Sequence, residues 1–294
     1  MRSFFAATTA IWAFGCAAAA PTAAPVAPAN NPAAPTPVAA KLAASPAASA
    51  PQPLPDAARE LEAARVTGTI ALYDTKDGVL GCSDVKRCSE AVTPASTFKI
   101  AHSMIAVETG LVNDPDSVLP WDHQTYSNEN WNRDLSFRDA FRYSCLPCYR
   151  AIARKVGQAG EQEWVSKLVY GNGDVSGGVD KFWIWGGLRI SPLEQIDFLR
   201  RFEENKLPIS ERTADIVRDI MTLDVTETYV LRGKTGTTSP PDEPRELAWF
   251  VGWVEAGPRH VYFALLIAGH APSVDPAVIR RPLTERILRA RGAM

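Results

Sequence analysis

A serine hydroxyl and a lysine amine three residues apart, in Ser96-Thr97-Phe98-Lys99, are the groups in this chain best placed for covalent chemistry. They open an apolar stretch running to Gly110, and helical coiling there puts both side chains on one face near the helix start. A serine alcohol does not attack at neutral pH without a base beside it. Lysine fills that role only when burial or a neighbouring charge strips its proton, because its free pKa is about 10.4. The tetrapeptide alone is better read as a capping serine followed by a solvated lysine. What tips the reading toward chemistry is Lys234-Thr235-Gly236 far downstream. Between the two clusters stand Ser144-Cys145-Leu146, Tyr170-Gly171-Asn172 and Phe182-Trp183-Ile184.

These groups need elements to hold them. Residues 66–73 are rich in β-branched side chains and predict a strand, with residues 79–82 returning against it around Lys76-Asp77-Gly78. Helical patterns dominate from Ser96 to about Arg201, broken by a loop around residues 170–174, and a further helix ends near Thr222. Residues 229–231, 247–254 and 261–267 predict three consecutive strands, and a last helix starts at about Arg281. Strands at both ends with helices between them predict an α+β fold. An antiparallel sheet built from both termini, flanked by helices, carries an inserted, mostly helical subdomain, with a cleft between the two.

Ser-x-x-Lys with a distant Lys-Thr-Gly is the signature pair of the penicillin-recognising serine enzymes. The order Ser-Thr-Phe-Lys, Ser144-x-Leu146, Tyr-Gly-Asn, a tryptophan after that loop, then Lys-Thr-Gly resembles the class D serine β-lactamases, the oxacillinase family. The resemblance covers nearly all of residues 65–294, including Trp249-Phe250-Val251-Gly252-Trp253-Val254-Glu255 and Arg280. It implies the architecture just read, with the active site in the cleft. It also implies hydrolysis of the lactam amide of penicillins, oxacillin types included, and hence antibiotic resistance.

By the same resemblance, Ser96 is the nucleophile and becomes an acyl ester. Lys99, as N6-carboxylysine, is the general base for acylation and deacylation. No bound cofactor or metal is expected, only carbon dioxide or bicarbonate to carboxylate Lys99. Trp183 holds a carbamate oxygen through its indole N–H. Ser144 and Lys234 pass a proton to the departing lactam nitrogen. Thr235, Gly236 and Thr237 line the substrate, with the backbone N–H groups of Ser96 and Thr237 as the oxyanion hole. Arg280 grips the substrate carboxylate, with Arg281 next door as a competitor for the role. Tyr170 and Asn172 shape the loop over the site. Leu146 stands where the family usually has valine beside the carbamate; its extra bulk is a departure at the point where water or carbon dioxide enters, and the sequence leaves its effect on deacylation open. A penicillin-binding transpeptidase and a β-lactam sensor share the two lysine motifs; Trp183 with an apolar lysine pocket separates them from a hydrolase.

Composition sets outer bounds. At 294 residues and 46% hydrophobic content the chain can build one large domain, and a net charge of -2 without a long basic run gives no basis for a nucleic-acid partner. Met1-Arg2 and the apolar run to Ala20 read as an export signal over 1–20, too short to span a membrane, which points to the periplasm. Ala13-Phe14-Gly15-Cys16 leaves open a lipidated Cys16 as a membrane tether. Residues 21–55, almost all Ala and Pro, read as a linker to a β-lactamase domain at 56–294. Cys82 and Cys88 bracket a short loop and predict a disulfide; Cys145 and Cys148 read as structural, bridged or free.

Overall fold

The computed structural model describes residues 50–241 and 245–294. The expected export signal, Cys16 and residues 21–49 of the expected linker lie outside them. The strands are β1 (Gln52–Pro53), β2 (Val66–Asp74), β3 (Val79–Cys82), β4 (Val118–Leu119), β5 (Leu135–Ser136), β6 (Thr222–Val225), β7 (Val230–Thr238), β8 (Leu247–Ala256) and β9 (Arg259–His270). All but β4 and β5 form one sheet in the order β1-β3-β2-β9-β8-β7-β6, so strands from both ends of the chain meet at β2 and β9. The helices are α1 (Pro55–Ala63), α2 (Val85–Cys88), α3 (Lys99–Glu108), α4 (Phe137–Arg142), α5 (Leu146–Lys167), α6 (Pro192–Glu203), α7 (Glu211–Ile220) and α8 (Pro276–Ala290).

The sheet is buried on both faces, which is why β8 and β9 read as nearly unbroken apolar runs. Ala248, Phe250, Val254, Phe263 and Leu265 pack with α1 and α8 on one side. Trp249, Val251, Trp253, Tyr262 and Leu266 alternate with them and pack on the other side with Phe98, Tyr149 and Trp183 of the helical region. No helix among the described residues is long and apolar enough to cross a membrane.

Four boundaries differ from the sequence reading, each for a local reason. Gln52–Pro53, placed in the linker, pairs with β3, and the Leu54 N–H donates to the Cys82 carbonyl at 2.8 Å. Main-chain pairing at a sheet edge tolerates proline, so composition concealed this strand. Lys234-Thr235-Gly236 lies inside β7, which runs well past residue 231; two glycines weaken the strand signal, and register with β8 supplies what propensity lacks. β6 was not foreseen. The last helix begins at Pro276 behind an Asp275 cap rather than at Arg281, where the interior Pro282 mimics a helix start. Arg280 therefore sits on a helix.

Candidate active site

The backbone approaching Ser96 is bent into place. Ala95 has φ +52°, a left-handed conformation that costs a residue with a Cβ about 1–2 kcal/mol, and Ser96 lies in the 3-10 turn Ala95–Phe98 that leads into α3. Three contacts hold the turn: the Ala95 N–H donates to the Trp183 carbonyl at 2.9 Å, the Thr97 hydroxyl donates to the Pro94 carbonyl at 2.7 Å, and Gln195 Nε2 donates to the Thr97 hydroxyl at 2.8 Å. Gln195 is fixed by α6, which starts with a reciprocal cap between Ser191 and Glu194.

Lys99 begins α3, fully buried, and its Nζ lies 2.8 Å from Ser96 Oγ. Burial, with Arg150 adding repulsion, pushes its amine down to about 7. Trp183 is equally buried, stacked on Phe98 at 5.9 Å with its edge to Phe182 at 5.0 Å, and its indole Nε1 has no hydrogen-bond partner among the described residues. A buried donor left unpaired costs stability, so this atom marks a place where an acceptor is wanted.

From the facing side β7 delivers Lys234, whose Nζ donates to Ser144 Oγ at 3.1 Å and to the Thr235 carbonyl at 3.1 Å. Burial together with the charges of Lys99 and Arg280 drives the Lys234 amine well down from its ordinary value, toward the neutral form. Ser144 has φ +54°, a second left-handed residue at the cleft, just before the Cys145–Cys148 disulfide that closes the first turn of α5. The two cysteines left open by the sequence are thus bridged, and Cys82–Cys88 is bridged as expected.

Gly236 explains how close the two walls come. A Cβ there would stand 3.1 Å from the Pro94 carbonyl oxygen and 3.2 Å from the Ser96 nitrogen, so β7 touches the Ser96 turn without a side chain between them. This brings the backbone next to Thr237 up to that of Ser96. Arg280 Nη1 donates to the Gly236 carbonyl at 2.7 Å and the Thr237 hydroxyl at 2.6 Å, both neutral, and its Nε has no partner among the described residues. Burial lowers Arg280 to about 10, and among the described residues no carboxylate is hydrogen-bonded to it. Arg281 by contrast is committed to Asp224 and Glu285. Of the two arginines, Arg280 is the one with donors to spare for an anion.

A cleft of about 570 Å³ is lined by Ser96, Ser144, Leu146, Thr235, Gly236, Thr237 and Arg280. Lys99, Trp183 and Lys234 lie behind its wall. Tyr170 and Asn172 stay out of it: the Tyr170 hydroxyl accepts from Gln195 at 3.3 Å, and Asn172 ties the loop through Gly187 and Arg189. Sequence reasoning missed Asn128 and the aromatic rim of Trp131, Tyr143 and Trp185, which also line the cleft. Trp185 is 49% exposed with the Arg150 guanidinium 5.3 Å over its ring, and a large exposed aromatic beside a tryptophan already singled out is the one signal that could have found it.

A buried amine touching a hydroxyl, backed by a second amine–hydroxyl pair and a basic fork at the cleft mouth, suits attack on a carbonyl compound bearing a carboxylate. A family model described as the penicillin binding protein transpeptidase domain matches residues 67–289. The chain is 39% identical over 222 residues to β-lactamase OXA-48 of Klebsiella pneumoniae, covering 76% of this chain and 82% of that one. It is 34% identical over 235 residues to β-lactamase OXA-10 of Pseudomonas aeruginosa, covering 80% and 88%. Among solved structures, the class D β-lactamase YbXI from Nostoc superposes with a TM-score of 0.77 at 35% identity, over 81% of this chain and 99% of that one. The class D β-lactamase from Sebaldella termitidis gives 0.78 at 35% identity, over 81% and 96%.

Proposed function

Because this chain belongs to the class D β-lactamases and so hydrolyses β-lactams, we propose that it opens penicillins, oxacillin types included, through an ester on Ser96 with Lys99 as the seat of the general base. The observation that carries the reading is the fully buried Lys99 Nζ, 2.8 Å from Ser96 Oγ, with its amine brought to about 7. Ser96 Oγ attacks the lactam carbonyl, its proton leaves toward Lys99, and the backbone N–H groups of Ser96 and Thr237 take the charge on the carbonyl oxygen. As the carbon–nitrogen bond breaks, the proton that Lys99 took from Ser96 is relayed through Lys234 and Ser144 to the lactam nitrogen, which frees the base at Lys99. Water then gives its proton to that base and attacks the ester, and the proton returns to Ser96 Oγ as the ester bond breaks.

The residues around Lys99 fit carboxylation of its amine. The free Trp183 Nε1 and the Ser96 hydroxyl are the donors that would hold the added carboxylate. Carbon dioxide adds to the neutral amine with release of one proton and supplies a carbamate basic enough to take protons at neutral pH. Leu146, half-buried in the cleft wall, narrows the approach for water and carbon dioxide. Two disulfides are in keeping with the leader-like residues 1–20 in placing the protein in an oxidising compartment, the periplasm, and lipidation at Cys16 would tether it to a membrane.

The test is a time course of oxacillin consumption at large molar excess, with and without bicarbonate. Many turnovers, faster with bicarbonate, are expected. A halt after one equivalent in both conditions would replace the hydrolase with a transpeptidase-like protein that only acylates. A narrower expectation concerns Arg280→Ala. Hydrogen bonds to charged groups are worth about 1.5–3 kcal/mol, so kcat/KM for penicillin falls roughly 10- to 150-fold, chiefly through KM. Steady-state kinetics with an Arg281→Ala control, unchanged within about twofold, checks the assignment.

A further inference from the structure

The chemistry above makes no use of two ionisable side chains buried directly behind it. His102 lies one helical turn after Lys99 on α3, and its Nε2 meets Glu161 Oε1 at 2.8 Å; both side chains have 0% exposure. His102 Nδ1 and Glu161 Oε2 have no partner among the described residues. Burying such a pair with two atoms unsatisfied is expensive, and apolar side chains of similar volume would serve the core as well or better. The fold nevertheless bends to bring it about. Gly157, at φ +77°, breaks α5 into two segments, and the second segment carries Glu161 inward onto His102.

The imidazole is in contact with the machinery on three sides. It stands 5.2 Å edge-on to Trp183, 5.4 Å from Phe98 and 5.5 Å from Tyr149, centroid to centroid. Tyr149 in turn lies under Lys99, with Nζ 5.2 Å from its ring centre, and is locked by a 2.7 Å hydrogen bond to Ser103. A hydrogen bond to Glu161 fixes the plane of the His102 ring, and that plane sets how the Trp183 indole can tilt.

We propose that His102 and Glu161 form a positioning pair that aims the Trp183 indole N–H at the carboxylated Lys99 side chain and so sets how readily Lys99 retains carbon dioxide. This rests on the carboxylysine reading given above. Outer partners that orient a ligand-holding group are commonly worth 10- to 100-fold in affinity for what it holds. In Glu161→Gln the bicarbonate concentration for half-maximal oxacillin turnover should rise about tenfold or more, with kcat at saturating bicarbonate within about threefold of the parent.

Two measurements keep the role apart from plain core packing. The double variant His102→Leu/Glu161→Met removes the pair while filling the space; it should keep the parent's thermal midpoint and yet retain the raised bicarbonate requirement. The Trp183 indole N–H resonance, assigned with Trp183→Phe, should shift or exchange faster in both variants in bicarbonate-free buffer. An unchanged bicarbonate requirement and an unchanged indole resonance in Glu161→Gln would overturn the pair's role, as would a double variant with parental bicarbonate dependence. If the parent itself needs no bicarbonate and gives no carbamate carbon signal with labelled carbon dioxide, the carboxylysine reading fails, and the indole resonance alone then decides whether the pair orients Trp183.

Discussion

Ser96→Ala should abolish the covalent step and lower penicillin hydrolysis on the order of 10⁴- to 10⁶-fold, the loss seen when a nucleophile acting within a catalytic unit is removed. The expectation follows from position as much as from chemistry. Ser96 lies in a turn fixed by Trp183, Pro94 and Gln195, and its hydroxyl is the only one that Lys99 Nζ contacts among the described residues. Ala95 keeps its left-handed backbone in the variant, and the side-chain hydrogen bond lost is the one from Lys99 Nζ. Intact-mass spectrometry after incubation with oxacillin should find no added mass, with a thermal midpoint close to the parent's. A stable adduct in the variant would place the nucleophile elsewhere, and Ser144 would be the first place to look.

Lys99→Ala carries the second large effect. Loss of a general base lowers rates about 10²- to 10⁴-fold, and because the same base serves both steps, residual acylation should leave a trapped ester visible by mass. The parent enzyme allows a sharper check through pH. Only the neutral amine reacts with carbon dioxide, and the Lys99 amine sits at about 7. Carboxylation is therefore favoured as pH rises through 7 and lost as pH falls below it. Turnover without added bicarbonate should drop on the acid side of 7, and excess bicarbonate should move that drop to lower pH. In Lys99→Ala both the drop and its rescue by bicarbonate should disappear. A parent profile flat from pH 6 to 8, with no response to bicarbonate, would argue against a base built on this lysine.

Much of the site was legible because its parts are single residues in short, rigid contexts. Ser96 and Lys99 need only one helical turn between them, and a glycine after Lys234-Thr235 announces a place where strand and turn must touch. The fold class was readable from strands at both ends and helices between them. What escaped reading is what depends on contact between distant segments. β6 and β1 are held by main-chain pairing at the two sheet edges, where side-chain pattern carries little information. The cleft rim draws on three separate stretches, Asn128–Trp131, Tyr143 and Trp185, that show no shared periodicity. Glu161 is one charge among several in a polar stretch of sequence, and only the break at Gly157 turns it inward. The start of α8 was misplaced by Pro282, and with it the recognition that Arg280 is carried on a helix that packs against the sheet.

The sheet itself is unfinished beside Ser96. β6 pairs with β7 only as far as Arg232, so from Lys234 to Thr238 that edge of β7 has no neighbouring strand among the described residues. A bare edge is ordinarily a template on which a second chain can add itself. Here it is five residues long, and the Ser96 turn packs on the face of the same strand at Gly236. Of the residues left without a strand neighbour on that edge, Thr235 to Thr238 are the ones that line the cleft, so the gap in the sheet and the opening of the cleft coincide.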